Sequence, residues 1–246
     1  MSTALQIGNQ TLTSEDLMPL LTRYQLLPQL QREILIDQAI AEMICTPEET
    51  AIARQQFYQQ QQLTSEADQQ GWLQRHNMQP ADLDAIATRK LRIEKFKRAT
   101  WDHKLESYFL KRKGQLDQAI YSLIRLQDTG IAQELYFRLQ AQEQRFAELA
   151  ATYSLGPEAR SGGKIGPSEL GTLHPQLARM LRVSQPGQLW QPTRLGEWLV
   201  IVQLDQIVPA QMNDLMRQRL LNELFETWIQ SQLGQATAAP PQLQVA

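Results

Sequence analysis

The sequence predicts an α+β fold: a helical domain over residues 1–113, completed by a returning helix at 209–233, with a four-stranded antiparallel sheet domain and its packed helices inserted at 114–208. Three observations predict it. Apolar residues recur at helical spacing through most of the first half. β-Branched and aromatic residues concentrate in two short stretches of the second half, AIYSLIRL at 119–126 and EWLVIVQLDQIV at 197–208. A last amphipathic stretch carries Leu220, Leu221, Leu224, Phe225 and Trp228 on one side and has no partner inside so small a sheet domain, so it must pack elsewhere.

The elements follow in order. Residues 5–7 and 10–12 flank Gly8-Asn9, a pair suited to a tight hairpin, and Thr13 or Ser14 can cap the next helix. Leu17, Leu20, Leu21 and Tyr24 give that helix an apolar face, with Pro19 bending or shortening it. Pro28 opens a second helix through Ile44, burying Ile36, Ile40, Met43 and Ile44. Thr46-Pro47-Glu48-Glu49 is the clearest start signal: Thr as cap, Pro at the first helical position, Glu reaching back to the cap. The helix runs into the glutamine tract 59–62, either a solvated helical face or a short low-complexity linker. A helix at 66–76 breaks near Asn77. Pro80 then restarts a long one carrying Leu83, Ile86, Leu91, Phe96, Trp101, Leu105 and Phe109. Its basic residues Lys90, Arg92, Lys95, Lys97 and Arg98 surround the helix, which fits a solvated surface better than a patch for acidic segments.

Gly114 marks a change of texture. A strand at 119–126 is followed by helix over 131–153, then a glycine-containing loop, a helix at 174–183 with Leu177, Met180 and Leu181, a Pro186-Gly187 turn, a strand at 188–195 and a final strand at 197–208. Residues 234–246, with Pro240-Pro241, read as a disordered tail.

Composition excludes several classes. In 246 residues, 42% of them apolar, there is material for one large or two small cores. A net charge of −2 gives no field to recruit nucleic acid. The single cysteine, Cys45, excludes an internal disulfide, and its apolar setting in EMICT fits a buried small hydrophobe. His76, His103 and His174 lack metal-ligand spacing, so no metal is expected. No apolar run approaches the ~20 residues that span a bilayer, so membrane insertion is not expected. The N-terminal stretch MSTALQIGNQTLT lacks the basic region, apolar core and cleavage site of a secretory signal, which sets the expected compartment as the cytoplasm.

Function points to residues 146–166, FAELAATYSLGPEARSGGKIG. Phe146, Leu149, Ala150 and Tyr153 form one helical stripe, Gly156-Pro157 stops the helix, and Gly162, Gly163 and Gly166 follow in a sharply bending loop. The glycines alone fit a tight surface turn as well as a ligand loop. FAELAxxYS followed by GGxxG resembles the parvulin-type (PpiC, rotamase) peptidyl-prolyl isomerases, over about 90 residues from 118 to 206, a small-domain size. The helical half, with IGNQTLTSEDL and its long basic helix, is similar to that of PrsA- and SurA-type foldases, in which a C-terminal helix completes the helical domain.

The resemblance implies catalysed rotation about the bond preceding proline, with no cofactor and no covalent step. It implies an apolar cup for the proline ring where the family has a Met and a Phe four residues apart; Leu173 and Leu177 stand there, after Gly171. The family's two histidines fall at Ser122 and Trp198 and its loop Cys or Asp at Gly156, while Lys164 replaces a usual acid. Ser122 and Trp198, each with one hydrogen-bond donor, are therefore the catalytic candidates. Leu173, Leu177, Gly156, Gly163, Lys164 and His174 are the substrate-binding candidates, although the HPQ context of His174 equally fits a helix start. Expected partners are proline-containing or unfolded polypeptide segments. Three readings stand: an isomerase with an altered polar network, a non-catalytic peptide-binding chaperone, and an adaptor in peptide maturation or export.

Overall fold

The computed structural model describes residues 3–7, 10–76 and 78–238 and divides into two compact units, Met1–His103 with Gln218–Ala246, and Lys104–Arg217. The α+β class is as expected. The division falls at 103/104 and 217/218, however, rather than at 113/114 and 208/209.

In the first unit β1 (Thr3–Ile7) and β2 (Gln10–Thr13) pair antiparallel. The expected Gly8-Asn9 turn and the Asn77 break lie outside the described residues. Five helices follow: α1 (Ser14–Arg23), α2 (Leu27–Ala39), α3 (Pro47–Gln60), α4 (Glu66–Arg75) and α5 (Pro80–Trp101). The start of α3 forms as its sequence dictates, the Thr46 hydroxyl accepting from the Glu49 N–H at 3.2 Å and the Glu49 carboxylate accepting from the Thr46 N–H at 2.8 Å. Helix α2 ends at Ala39, short of Ile44, which is 83% exposed instead of buried; Cys45 is half-buried.

The basic cluster of α5 explains that early end and corrects its own reading. Arg92 donates to the carbonyls of Ile40 (2.7 Å) and Met43 (3.0 Å), and Lys95 donates to Ile44 O (2.9 Å) and to Glu49. These cations satisfy carbonyls at a helix end, where the intrahelical ladder leaves them without partners. Lys97, only 7% exposed, donates to Glu94 and to Asn222 at 2.7 Å. Three of the five basic residues are thus fasteners and not a solvated surface.

Helix α5 stops at Trp101, and a 3-10 turn, Asp102–Lys104, separates it from α6 (Leu105–Leu116), where one continuous helix was expected. The apolar spacing runs on through the break and so does not mark it. After residue 213 the returning helix α10 (Asp214–Ala238) packs Phe225 and Ile229 on Ile36 and Ile40, with Phe96, Trp101 and Trp228 around them. Arg32 bridges to Glu226 across the same seam. Its last turns are helical through Ala238, where a disordered tail from 234 was expected; residues 239–246 lie outside the described residues.

The second unit is built on a sheet ordered β4-β3-β6-β5, every pair antiparallel. Its strands are β3 (Gln118–Leu126), β4 (Lys164–Glu169), β5 (Thr193–Leu195) and β6 (Trp198–Val208). Its other helices are α7 (Thr129–Gln140), α8 (Phe146–Tyr153) and α9 (Pro175–Val183). The expected single helix over 131–153 is two, because the chain turns at Gln142, φ 56°, after α7 ends. Gly114 lies inside α6, and the switch to strand comes at Asp117, whose carboxylate accepts from Ala210 N–H (2.8 Å) and whose carbonyl accepts from Leu170 N–H (2.9 Å). Those ties count α6 with the sheet and account for the earlier boundary.

Side chains alternate across the sheet. Tyr121, Leu123, Val200 and Val202 meet α9 on one face, through Leu177 and Leu181; Ile124, Leu126 and Ile201 meet α7 and α8 on the other, through Leu135 and Leu149.

Two outcomes follow for the first unit. Ile229→Ala, at a fully buried site, is expected to lower unfolding stability by about 2–5 kcal/mol in urea titration. The Glu49 carboxylate is held below its usual 4.5 by hydrogen bonds from Lys95 and from the Thr46 N–H. A carboxylate depressed by folding stabilises above its unfolded pKa, and that share is lost as pH falls through the folded value. Glu49→Gln should therefore show a smaller drop in Tm than the parent between about pH 5 and about pH 3.

Candidate functional site

The site is assembled where β3 loses its strand partner. β4 pairs with β3 as far as Ser122 opposite Lys164, and beyond that the loop following α8 takes over. Leu123 N–H donates to Gly163 O, Arg125 N–H to the Ser154 hydroxyl and Leu155 N–H to Arg125 O, each at 2.9 Å. The loop closes on itself through a 3-10 turn, Pro157–Ser161, with Gly163 N–H donating to Glu158 O at 2.8 Å.

Close approach explains the glycines. Gly163 has φ +85°, and a Cβ there would lie 2.9 Å from Leu123 O, from Ala150 Cβ and from the Phe146 ring. A side chain at Gly162, φ +63°, would strike Ala147 at 2.9 Å. Gly163 is therefore a packing position between β3 and α8. It is not exposed to a ligand.

Leu177, 6% exposed on α9, is buried with Tyr121 and Leu123, and Leu173 and Trp198 pack against the same cluster. Trp198 lies over the end of the sheet, its ring centre 5.7 Å from the Arg125 guanidinium. Arg125 in turn pairs with the Glu158 carboxylate at 3.5 Å, and that carboxylate accepts from the Ser154 hydroxyl at 2.7 Å. Burial raises the Tyr121 pKa above its ordinary 10.0, with Arg125 opposing and Glu158 adding, so the phenol remains a protonated donor at neutral pH.

The other expected residues fall apart from this group. Ser122 points with Ile124 to the opposite face, its hydroxyl donating to Asp205 at 3.1 Å. Lys164 is exposed on β4 opposite Ser122. His174 is exposed and caps α9, its Nδ1 accepting from Gln176 N–H at 3.3 Å, which is the helix-start reading of HPQ. Gly156 borders the site, since a Cβ there would lie 2.3 Å from both Glu158 carboxylate oxygens. Tyr121, Arg125 and Glu158 were not anticipated from the sequence. The available signal was register: counting alternate residues from apolar Leu123 puts 121 and 125, not 122, on its face. A cavity of about 700 Å3 between Tyr136, Phe146, Leu189 and Gln203 lies on the face of α7 and α8 and contains none of the expected residues.

Gly163→Ala combines a positive φ with contact on a strand carbonyl, and is expected to cost more than about 1 kcal/mol, read as a drop in Tm, with Gly187→Ala, which meets nothing, as the less affected control.

Residues 126–206 match the family Rotamase: PPIC-type PPIASE domain. No curated protein matches in sequence. Among solved structures, peptidylprolyl isomerase PrsA from Bacillus cereus aligns with TM-score 0.53 at 15% identity, covering 99% of this chain and 95% of that one. PrsA from Bacillus anthracis aligns with TM-score 0.48 at 18% identity, covering 87% and 100%. The parvulin domain of PpiD from E. coli aligns with TM-score 0.34 at 27% identity, covering 41% and 97%. Leu173, Leu177 and Trp198 thus lie within the stretch that matches a PPIC-type peptidyl-prolyl isomerase domain, and the chain has the fold seen in PrsA.

Proposed function

We propose that the chain is a foldase that binds proline-containing polypeptide segments at Leu173, Leu177 and Trp198 and isomerises their prolyl bonds weakly. The observation that carries this reading is the joining of those three side chains in one apolar cluster within the PPIC-type domain. Rotation about a peptide bond faces a barrier of about 18–20 kcal/mol and needs no bond making or breaking. A site lowers it by seating the ring in an apolar cup, excluding water and offering donors to the twisted carbonyl. Leu177 and Leu173 supply the cup. Tyr121, whose hydroxyl makes no hydrogen bond among the described residues, supplies a donor beside it. Each well-placed donor in such a site is worth about 2.7–4 kcal/mol, so a changed donor set lowers turnover by decades while leaving the cup's affinity in place.

A second reading, a chaperone that holds peptide without turnover, is favoured by the helical unit. There a groove of about 450 Å3 between α3 and α5 is walled by exposed Ile52 and half-buried Phe57, Ile86 and Leu91. An apolar segment of an unfolded chain fits such walls.

NMR titration with Xaa-Pro peptides tests the first reading. The Leu173 and Leu177 methyls and the Trp198 indole are expected to shift with a Kd in the range of about 1 μM to 1 mM, because one small cup and few hydrogen bonds are available. An exchange or protease-coupled assay should show slow turnover, reduced together with affinity by Leu177→Ala and untouched by Ser122→Ala. Absence of any shift at saturating peptide, or loss of turnover in Ser122→Ala, contradicts it.

A further inference from the structure

We propose that Glu158 is a positioning residue of the cup: its carboxylate holds the Arg125 guanidinium against Trp198, so that the N–H groups of Arg125 meet a backbone carbonyl of the bound peptide beside the Tyr121 hydroxyl. The proposal rests on the reading of Leu173, Leu177 and Trp198 as a proline cup.

Glu158 is 5% exposed, and a carboxylate so buried requires hydrogen-bonded or charged partners. It has both: the Ser154 hydroxyl at 2.7 Å and the Arg125 Nε at 3.5 Å. Its backbone is also tied, the carbonyl accepting from Gly163 N–H at 2.8 Å and from the Ser161 hydroxyl at 3.0 Å. Pro157 and the 3-10 turn fold the side chain back over Gly156, where it fills the space a Cβ would need; the 2.3 Å separation makes a side chain at 156 and this carboxylate mutually exclusive. Gly156 has φ −102°, which any residue adopts, so what its lack of a side chain provides is room for this carboxylate.

The acid acts on Arg125. Ser154 needs only an acceptor, which a neutral side chain could supply, whereas the ion pair specifically orients the cation. The guanidinium is fixed by its strand, by Glu158 and by the Trp198 ring, and its side chain keeps 32% exposure. Within the described residues it donates no hydrogen bond, so its N–H groups are available to a ligand. Arg125, Tyr121 and Trp198 lie on the same face of the sheet as Leu177.

The experiment compares Glu158→Gln, which keeps the volume and an acceptor for Ser154, with the double substitution Gly156→Asp plus Glu158→Ala, which returns a carboxylate to the same space from the neighbouring position. In the free protein, Glu158→Gln should move the Arg125 Nε–H and Trp198 indole resonances, and the double substitution should bring them back toward the parent. Affinity for an Ala-Pro peptide should fall about tenfold in Glu158→Gln, the size of one charge-assisted contact, and recover in the double variant. Unchanged resonances in Glu158→Gln, or an affinity loss that follows Tm and not the Arg125 signal, overturns the proposal. If the parent shows no peptide shift at Leu177, the cup reading falls and takes the peptide contact with it, while the Arg125 signal of the free protein still decides whether Glu158 positions that side chain.

Discussion

The second unit depends on how the outer edge of β3 is satisfied after β4 leaves it. Leu123 and Arg125 each present an N–H, and Arg125 a carbonyl, to a side of the strand that no other strand covers; all three are paired by the loop at 154–163. Leaving a buried backbone group unpaired costs about 1–3 kcal/mol, so the loop's path is dictated by these partners more than by its own propensities. The requirement explains the motif residue by residue. Ser154 is the acceptor for the Arg125 N–H, and Gly163 allows its carbonyl within 2.9 Å of the Leu123 nitrogen. Phe146 and Ala150 form the wall against which that glycine closes.

The same closure brings Glu158 beneath the sheet end and so couples edge satisfaction to the polar part of the site. Ser154 belongs to both systems, accepting from the strand and donating to the carboxylate. The absence of a side chain at 156 leaves room for the one at 158, whose charge pairs with Arg125 of the adjacent strand. The pair is partly exposed on the arginine side, where the Trp198 ring covers one plane of the guanidinium and leaves its edge open.

Much of the architecture was legible because several levels of the sequence agree. Thr46, Pro47 and Glu49 each specify a helix start by a different mechanism, and 119–126 and 198–208 are strands by composition and by length. What escaped notice had conflicting or absent local signals. β4 reads KIGPSE, and its Gly166 and Pro167 argue against a strand even though β3 pairs with it. The break between α5 and α6 interrupts no apolar spacing, and the turn at Gln142 carries neither Gly nor Pro. Most instructive is Ser122. A shift of one residue along a strand changes its face: Tyr121 is buried in the cluster with Leu177, whereas Ser122 turns the other way and pairs with Asp205. Glu158 was illegible for another reason: its place over Gly156 arises only when the 3-10 turn folds back.

The groups beside the apolar cluster bear on what chemistry the proposed site can support. Prolyl rotation transfers no proton, so its donors need to be well aimed but need not titrate. Arg125 offers guanidinium N–H donors, and burial pushes the Tyr121 phenol above its ordinary 10.0, so it stays a protonated donor at neutral pH. A wall made of these two groups therefore presents donors at neutral pH. The Arg125 guanidinium carries several N–H groups in one plane, so it can engage a carbonyl through more than one of them. On the proposed reading, contacts made to the planar and twisted peptide alike would strengthen a complex without accelerating its reaction, so only donors that meet the twisted carbonyl better than the planar one lower the barrier.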